Sequence, residues 1–396
     1  MTYTISIDNF TIISSAVLLV VAVVASFFSP YLRFSKSKWE QNGKDEKEGG
    51  AESLPPLSVI LAPHDEPEAI SRNLPAIMSQ KYPAGFQIIV VVEEGENETE
   101  DVLKRFQQLD QEPADCTLYI TYIPQSSRYV SRKKLAMTLG VKAAKTEWLV
   151  MTEPTSKPAS DTWLQTMAEN CTNSTQLVVG YGGYEDEASS FKRFERLNAA
   201  YYLMREAAQG NAYAALAPNI MIRKSVFMKQ DGFLGNLNLI HGEYDFLVNK
   251  YSEEGKVALE TRDAAWTLDD APEHSIWMAG HIFYRETRKW LERSFAHRAW
   301  FNIDQIMLHL SFLLMLVGIV WGAVTVNVIL LAAAVLGLIL SIVLRTVFGC
   351  KAMSAFSEHI PAVLIYPYSL SLVWRNLKYG LRYKFANKLD FTTHKQ

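Results

Sequence analysis

Apolar and polar positions form long blocks at the two ends of the chain and short blocks in the middle. The first long block, Phe10 to Leu32, contains no charged residue and could cross about 30 Å of hydrocarbon as a helix. The middle of the chain carries short apolar runs separated by amphipathic segments. The pattern therefore predicts membrane-spanning helices at both ends and a soluble domain between them.

The N-terminal block is predicted to be an uncleaved anchor within residues 1–34. A cleaved signal peptide would begin with basic residues, whereas the residues before Phe10 include Asp8 and no lysine or arginine. Three basic residues then follow the block: Arg33, Lys36 and Lys38. Basic flanks favour the cytoplasmic side of a membrane, so we expect the next part of the chain to lie in the cytoplasm.

The C-terminal part, residues 301–396, is predicted to contain a hairpin of two spans, Ile306 to Trp321 and Val324 to Leu344. His309 interrupts the first span, and we expect it near a helix end at the level of the lipid headgroups. Because these spans show no paired charges, the sequence disfavours a transporter.

A weaker apolar stretch, His359 to Trp374, contains two prolines and has basic residues on both flanks. This pattern favours a re-entrant or interfacial helix, and a fourth span is the alternative. A basic tail follows.

Residues 35–56 are polar and charged, as is typical of a linker. From Leu57 onward, "LSVILAP", "FQIIVVVEE", "CTLYITYIP" and "TEWLVMTE" read as strands, and the segments between them read as amphipathic helices. Strands that alternate with helices predict a parallel α/β sheet, which binds its ligands at the carboxyl edge. We assign this domain to residues 57–300.

Acidic side chains follow three of the predicted strands. Asp65 and Glu66 follow the first, Glu93 and Glu94 end the second, and Glu153 follows the fourth. An acid in such a position can simply cap the next helix. Three strand ends that converge on acids favour a site for a ligand rich in hydroxyls, bases or metal-bound phosphate.

Charge and cysteine content argue against a nucleic-acid partner and against metal or disulfide sites built from cysteine. The formal net charge of −3 argues against a nucleic-acid partner. The 3 cysteines are far apart and fit neither a metal site nor a disulfide framework. Apolar residues make up 49 % of the chain, which agrees with a membrane protein.

Several motifs together resemble family 2 glycosyltransferases, in membrane-anchored versions similar to those of Bacteroidetes. They are "LSVILAPHDEPEAISRNLPAIMSQKYP", "FQIIVVVEEGENETEDVL", "KKLAMTLGVKAAKTEWLVMTEPTSKPASDTWL" and "APNIMIRKSVFMKQDGFLGNLNLIHGEYDFLVNKYSEEG". The resemblance covers roughly Leu57 to Glu260. It implies a GT-A fold, a Rossmann-like nucleotide-diphospho-sugar transferase domain, flanked here by transmembrane helices.

The resemblance implies a nucleotide-sugar site at the acidic strand ends. Asp65 and Glu66 stand where the family contacts base and ribose, and Glu93 and Glu94 replace its next acid pair. On the helix that follows the third strand, Lys134 or Lys133 would face the nucleotide, and a solvated helix face is the alternative.

Glu153-Pro154-Thr155 occupies the position of the family's Asp-x-Asp signature. There the first acid reaches the sugar nucleotide and the last holds a divalent ion. Glu153 keeps a carboxylate, but Thr155 offers only a hydroxyl, a poor sole anchor for Mg²⁺ or Mn²⁺. Glu153 is therefore the only candidate metal ligand at the signature, and the usual metal binding is doubtful.

The acceptor side also departs from the family pattern. Where close relatives have glycine and three acids, this chain has Gly242-Glu243-Tyr244-Asp245. A tyrosine with an ordinary pKa of about 10 is a poor base, so Glu243 or Asp245 is the candidate catalytic base.

The family's downstream Gln-x-x-Arg motif is missing from the comparable segment, "SIWMAGHIFYRETRKW". His281 and Arg285 lie one helical turn apart and could instead hold the diphosphate or the acceptor. An interfacial amphipathic helix is the alternative interpretation of this segment.

Together these features predict an inverting transfer from a nucleotide-sugar to a lipid-linked or polysaccharide acceptor, at the cytoplasmic face of the inner membrane. The altered signatures leave a second hypothesis, a non-catalytic pseudo-glycosyltransferase that scaffolds polysaccharide assembly.

Overall fold

The computed structural model describes residues 8–40, 54–108, 116–124, 129–292 and 295–392, without the side chains of residues 296–298. Two compact units interleave along the chain. One comprises the described residues of Met1–Trp39, Ser190–Tyr202 and Arg293–Lys378, and the other those of Glu40–Ser189, Leu203–Glu292 and Tyr379–Gln396.

Ten strands form two sheets in the described part of the chain. The larger sheet has the order β3-β2-β1-β4-β8-β6-β9, and the smaller has the order β5-β10-β7. The strands are β1 Leu57–Leu61, β2 Phe86–Glu93, β3 Cys116–Ile123, β4 Trp148–Thr152, β5 Ser156–Pro158, β6 Leu177–Gly180, β7 Gly182–Tyr184, β8 Asn219–Arg223, β9 Val257–Glu260 and β10 Thr267–Asp269.

Helices lie between the strands along the chain and also form its apolar N-terminal and C-terminal segments. They are α1 Asn9–Ser26, α2 Pro67–Met78, α3 Asn97–Gln108, α4 Arg132–Ala143, α5 Trp163–Ala168, α6 Ser190–Ala208, α7 Lys224–Lys229, α8 Glu243–Tyr251, α9 His274–Thr287, α10 Phe295–Val324, α11 Val328–Ala355 and α12 Ala362–Phe385.

The mixed α/β fold predicted from the pattern is confirmed. Strands β1 to β4 pair in parallel, and every helix and strand predicted between Leu57 and Glu153 is present. Strand β8 is antiparallel to both of its neighbours, β4 and β6. Strands β1 and β4 are buried along their whole length, and β2 is buried up to its last residue, Glu93, which is partly exposed. Their side chains form much of the hydrophobic core of the sheet unit.

Three helices are long and apolar enough to cross a membrane, among the residues that the structure describes. They are α1, the Ala299–Val324 part of α10, and α11. Helix α1 ends at Ser26, six residues before the predicted limit, and a short 3-10 turn follows it at Pro30–Leu32. Helix α10 extends beyond its predicted span at both ends, whereas α11 begins four residues later and ends 11 residues later than predicted.

A buried ion pair joins two of these helices, so the expectation of spans without charge pairs was wrong. Arg345 on α11 lies 3.1 Å from Asp304 on α10 and donates to the Ala25 carbonyl of α1 at 2.8 Å. Tyr202 donates to Asp304 at 2.8 Å. Neither charge was within a predicted span, because the sequence pattern placed the start of α10 too late and the end of α11 too early.

His309 was also placed wrongly. It lies well inside α10, where one ring nitrogen is 2.8 Å from the Gln305 carbonyl and the other 3.2 Å from that of Leu370. The stretch predicted at 359–374 forms the longer helix α12, and Pro367 lies inside it without ending it.

Candidate functional site

Two helix N-termini meet the acidic strand ends in the sheet unit. Helix α4 begins after Ser131, whose hydroxyl accepts a hydrogen bond from the backbone N–H of Lys134. Helix α8 begins after Gly242, which has a left-handed φ of 90°. A Cβ at Gly242 would lie 2.6 Å from the methyl of Thr287, so glycine is required there on both counts.

Lys133 and Glu153 form an ion pair at the end of β4. The Lys133 side chain is 30 % exposed and that of Glu153 is 14 % exposed, so the ammonium is the more accessible partner. The Lys133 ammonium also lies 5.5 Å from the ring centroid of Tyr244. The first residue of the signature turn therefore has a cation beside it that belongs to the chain.

The charges of Glu66 and Glu243 act on this pair. Burial alone would lower the pKa of Lys133, but Glu153, Glu243 and Glu66 together raise it. Burial raises the pKa of Glu153; Lys133 opposes this rise, and Glu243 and Glu66 add to it. The negative charges of Glu243 and Glu66 thus raise the pKa of both partners, because they stabilise the protonated form of Lys133 and of Glu153 alike.

Tyr244 anchors the pair from the α8 side. Its phenol donates to the carbonyl of Thr152 at 3.0 Å. Burial, and then Glu153, raise the pKa of Tyr244 well above its ordinary value. This tyrosine therefore remains protonated and acts as a donor, not as a base.

The two candidate bases differ in their surroundings. Glu243 is 5 % exposed, and the Ser131 hydroxyl lies 3.4 Å from its carboxylate. Asp245 accepts from the backbone N–H of Ala215 at 3.2 Å. Burial raises the pKa of Asp245 to about 7; the Ala215 N–H opposes this rise and Glu243 adds to it. A carboxyl that titrates near neutral pH suits proton transfer.

The end of β2 forms a second polar cluster around Arg132. The guanidinium donates to Glu93 at 2.9 Å and to Glu96 at 2.7 Å. Tyr129 donates to Glu93 at 2.8 Å, and the His64 ring lies 3.0 Å from Glu96. Glu96 and Arg132 were not among the predicted site residues. Their signal in the sequence is the run of basic residues in the first turn of a helix, where the dipole disfavours them unless acids lie nearby.

Asp65 and Glu94 lie exposed at the same strand ends. Asp65 has a left-handed φ of 50°, and the backbone N–H of Glu94 donates to the Ile123 carbonyl at 3.1 Å. Glu66 is partly buried, and its carboxylate accepts from the backbone N–H of His64 at 3.1 Å.

Lys134 has a different environment from the one expected of a nucleotide ligand. Its ammonium is buried and donates to the carbonyls of Asn236 at 2.8 Å, Leu239 at 2.5 Å and His241 at 3.4 Å. These bonds use all three of its donors. Lys134 therefore fixes the segment before α8, and Lys133, the alternative reading, is the lysine beside Glu153.

His281 and Arg285 lie on α9 against the C-terminal segment of the same unit. The His281 ring stacks on Tyr379, with centroids 4.2 Å apart and planes at 7°, and meets Trp277 edge-on at 4.8 Å. The Arg285 guanidinium packs over Gly380, and burial lowers its pKa. The structure thus places the pair in an aromatic packing layer.

The turn at Glu153-Pro154-Thr155 is held by hydrogen bonds to its backbone carbonyls, and it offers one carboxylate, that of Glu153, and one hydroxyl, that of Thr155. Asn73 donates to the Pro154 carbonyl at 2.8 Å, and the Asp270 N–H donates to that of Thr155 at 3.1 Å. Within the described residues, the only three metal-ligating side chains that converge within 4.8 Å are His64, Glu93 and Glu96. Arg132 already bonds both of those acids, and Glu153 is not among the three.

No family model and no curated protein matches the chain. Among solved structures, it is similar to a mannosyltransferase from Pyrobaculum calidifontis in complex with GDP-Man and Mn²⁺, at 14 % identity and a TM-score of 0.46, over 91 % of this chain and 99 % of that chain. It is also similar to S. aureus TarS at 12 % identity and a TM-score of 0.40, over 64 % of this chain and 42 % of TarS. Scores this low assign neither the fold nor the activity to this chain.

Proposed function

We propose that this protein is a membrane-anchored, GT-A-type glycosyltransferase of family 2. It transfers a sugar with inversion from a nucleotide-sugar to a lipid-linked or polysaccharide acceptor. The observation that carries the proposal is the ion pair of Lys133 with Glu153 at the end of β4, together with the carboxylates of Glu243 and Glu66, whose charges help to raise the pKa of Lys133. Carboxylates accept hydrogen bonds from sugar and ribose hydroxyls, and the ammonium can face a phosphate.

In this mechanism the donor lies across the ends of β1, β2 and β4, with base and ribose toward Asp65, Glu93 and Glu94. An acceptor hydroxyl attacks the anomeric carbon from the face opposite the diphosphate. The bond to the diphosphate breaks as the new bond forms, which inverts the configuration. The acceptor proton passes to Glu243 or Asp245, and the raised pKa favours Asp245.

A screen of nucleoside diphosphate sugars by thermal shift, on the full chain in detergent, tests the donor site. We expect one donor to stabilise the wild-type protein and Asp65→Ala or Glu94→Ala to weaken its binding by about 1 to 3 kcal/mol. Unchanged affinity in both variants, with the fold intact, would move the donor site elsewhere.

The alternative, a non-catalytic scaffold in polysaccharide assembly, is favoured by one observation. The charged groups of the site are engaged with one another, Lys133 with Glu153 and Arg132 with Glu93. A site whose groups satisfy one another can persist without turnover. If Glu153→Gln leaves the cellular role of the protein intact, the scaffold function is the correct one.

We propose a multi-pass protein of the inner membrane with the sheet unit in the cytoplasm. Basic side chains near the ends of the spans support this orientation: Arg33 packs on Trp300 at 4.2 Å and Lys36 lies 5.0 Å from the Phe356 ring. A reporter inserted after residue 50 should be cytoplasmic, and one at the N-terminus should not. Access to residues near 200 from outside the cell would refute this topology.

A further inference from the structure

The last part of α12 exposes a row of large apolar side chains, which we call the apolar stripe. Its four residues are spaced by three or four positions, so they lie on one face of the helix: Trp374, Leu377, Leu381 and Phe385. Each of them is more than half exposed, and Phe385 reaches 83 %. Exposed apolar surfaces of this kind mark contacts with another protein or with a membrane.

Basic side chains border the apolar stripe on both sides. Arg382 comes one position after Leu381, and Lys384 comes one position before Phe385. Successive residues of a helix differ by about 100° in direction, so these two cations project to opposite sides of the stripe. Both are exposed, and neither forms an ion pair with any residue in the described part of the chain.

No acid balances these cations along the helix. From His359 to Leu389 the sequence contains no aspartate or glutamate. The apolar stripe and its basic borders therefore fit a surface that is negatively charged where it meets water and apolar beneath.

The opposite face of the same helix packs on α9. The Tyr379 ring stacks on that of His281, with centroids 4.2 Å apart, and is almost fully buried. One turn further along, the Tyr383 phenol donates to the carboxylate of Glu286. These contacts fix the rotation of the helix, so the apolar stripe is the side that it presents to a partner.

We infer that the apolar stripe binds a phospholipid membrane with anionic headgroups. The stripe enters the layer between headgroups and acyl chains, where tryptophan is enriched, and Arg382 and Lys384 bind the lipid phosphates. The chain itself brings this partner close, because α12 begins in the unit that contains the three candidate spans. The contact attaches α9 to the lipid surface, whether or not the protein transfers a sugar.

The test uses a photo-crosslinker at the stripe. The full chain, with p-benzoylphenylalanine in place of Phe385, is reconstituted in vesicles of phosphatidylcholine and phosphatidylglycerol in equal parts, irradiated and analysed by mass spectrometry. We expect covalent attachment of phospholipid, with phosphatidylglycerol captured at least twofold more often than phosphatidylcholine. The same crosslinker in place of Tyr119, an exposed residue of β3, should capture no lipid.

Two double variants test the role of the charges. Arg382→Gln with Lys384→Gln should bring the two lipids back to equal capture. Arg105→Gln with Lys229→Gln removes the same charges from other exposed positions and should leave the preference unchanged. If the first double variant does not fold, salt replaces it: high salt should weaken the wild-type preference, because it screens exposed charges.

Four results would overturn the inference. Absence of captured lipid at position 385 would show that the stripe does not meet a membrane. A covalent dimer in place of lipid would assign the stripe to a second copy of the chain. Equal capture of both lipids by the otherwise unchanged chain, or a preference that persists in high salt, would remove the role of the anionic headgroups.

Discussion

Tyr244 donates its phenolic hydrogen to the carbonyl of Thr152 at 3.0 Å, so the first turn of α8 is tied to the last residue of β4. The resemblance places an acid of the acceptor-side cluster at this position. Tyr244 offers no carboxylate there. Its hydroxyl instead forms a hydrogen bond between α8, which carries Glu243, and β4, which Glu153 follows.

Removing this hydrogen bond should destabilise the fold measurably. Tyr244→Phe leaves the Thr152 carbonyl without its phenolic partner, so we expect a loss of about 1 kcal/mol in the free energy of unfolding. Tyr119→Phe is the matched control, because Tyr119 is 51 % exposed. Equal stability of the two variants would show that the bond contributes nothing.

Asp245 should make stability depend on pH. Its pKa is raised by burial from 3.8 to about 7, so between those values the folded chain holds a proton that the unfolded chain has released. The contribution of Asp245 to the free energy of unfolding therefore falls as the pH rises from about 4 to about 7. Asp245→Asn should reduce this slope in a series of thermal unfolding curves, and Asp101→Asn, an exposed control, should not.

The buried pair of Asp304 and Arg345 predicts an asymmetry between single and double variants. Arg345→Met leaves a carboxylate without its partner and should cost about 3 to 5 kcal/mol. Adding Asp304→Leu should recover most of that loss, because no charge then remains. Thermal unfolding in detergent measures both, with exposed Lys351→Met as control; a double variant no more stable than the single one would contradict the prediction.

The signature turn predicts opposite effects for its two ends. Glu153→Gln should abolish transfer, because the turn then loses its one carboxylate, which orients the donor.

Thr155→Asp places a second carboxylate at the edge of β4 and should create a stabilising response to Mn²⁺ in thermal unfolding. If the wild type already requires Mn²⁺, a second acid must lie beside Glu153.

The first half of the fold could be predicted from sequence, because β1 to β4 are apolar runs whose parallel pairing follows from the helices between them. The second half could not. Strand β8 enters beside β4 from far along the chain and runs antiparallel, and the three residues of β5 are too few to show a period. The small sheet was therefore absent from the prediction.

The candidate site shows a similar limit at Lys133 and Lys134. Successive residues on a helix differ by about 100° in direction, so one of these lysines meets Glu153 and the next points toward the segment before α8. A helix with three consecutive basic residues gives no periodic signal that separates them. Only tertiary packing decides which lysine belongs to the site.

The bonds of Lys134 make the segment before α8 resemble a crown ether, in which a chain of oxygens wraps around an ammonium ion. Lys250 is held in the same manner by the carbonyls of Gln230, Gly232 and Leu234. The backbone path of this segment is thus stabilised by the ammonium groups of Lys134 and Lys250 as well as by its turn-forming residues. This segment leads directly into Gly242 and then into α8, which carries Glu243 and Asp245. Lys134 therefore helps to set the direction of α8, and the neighbouring Lys133 pairs with Glu153.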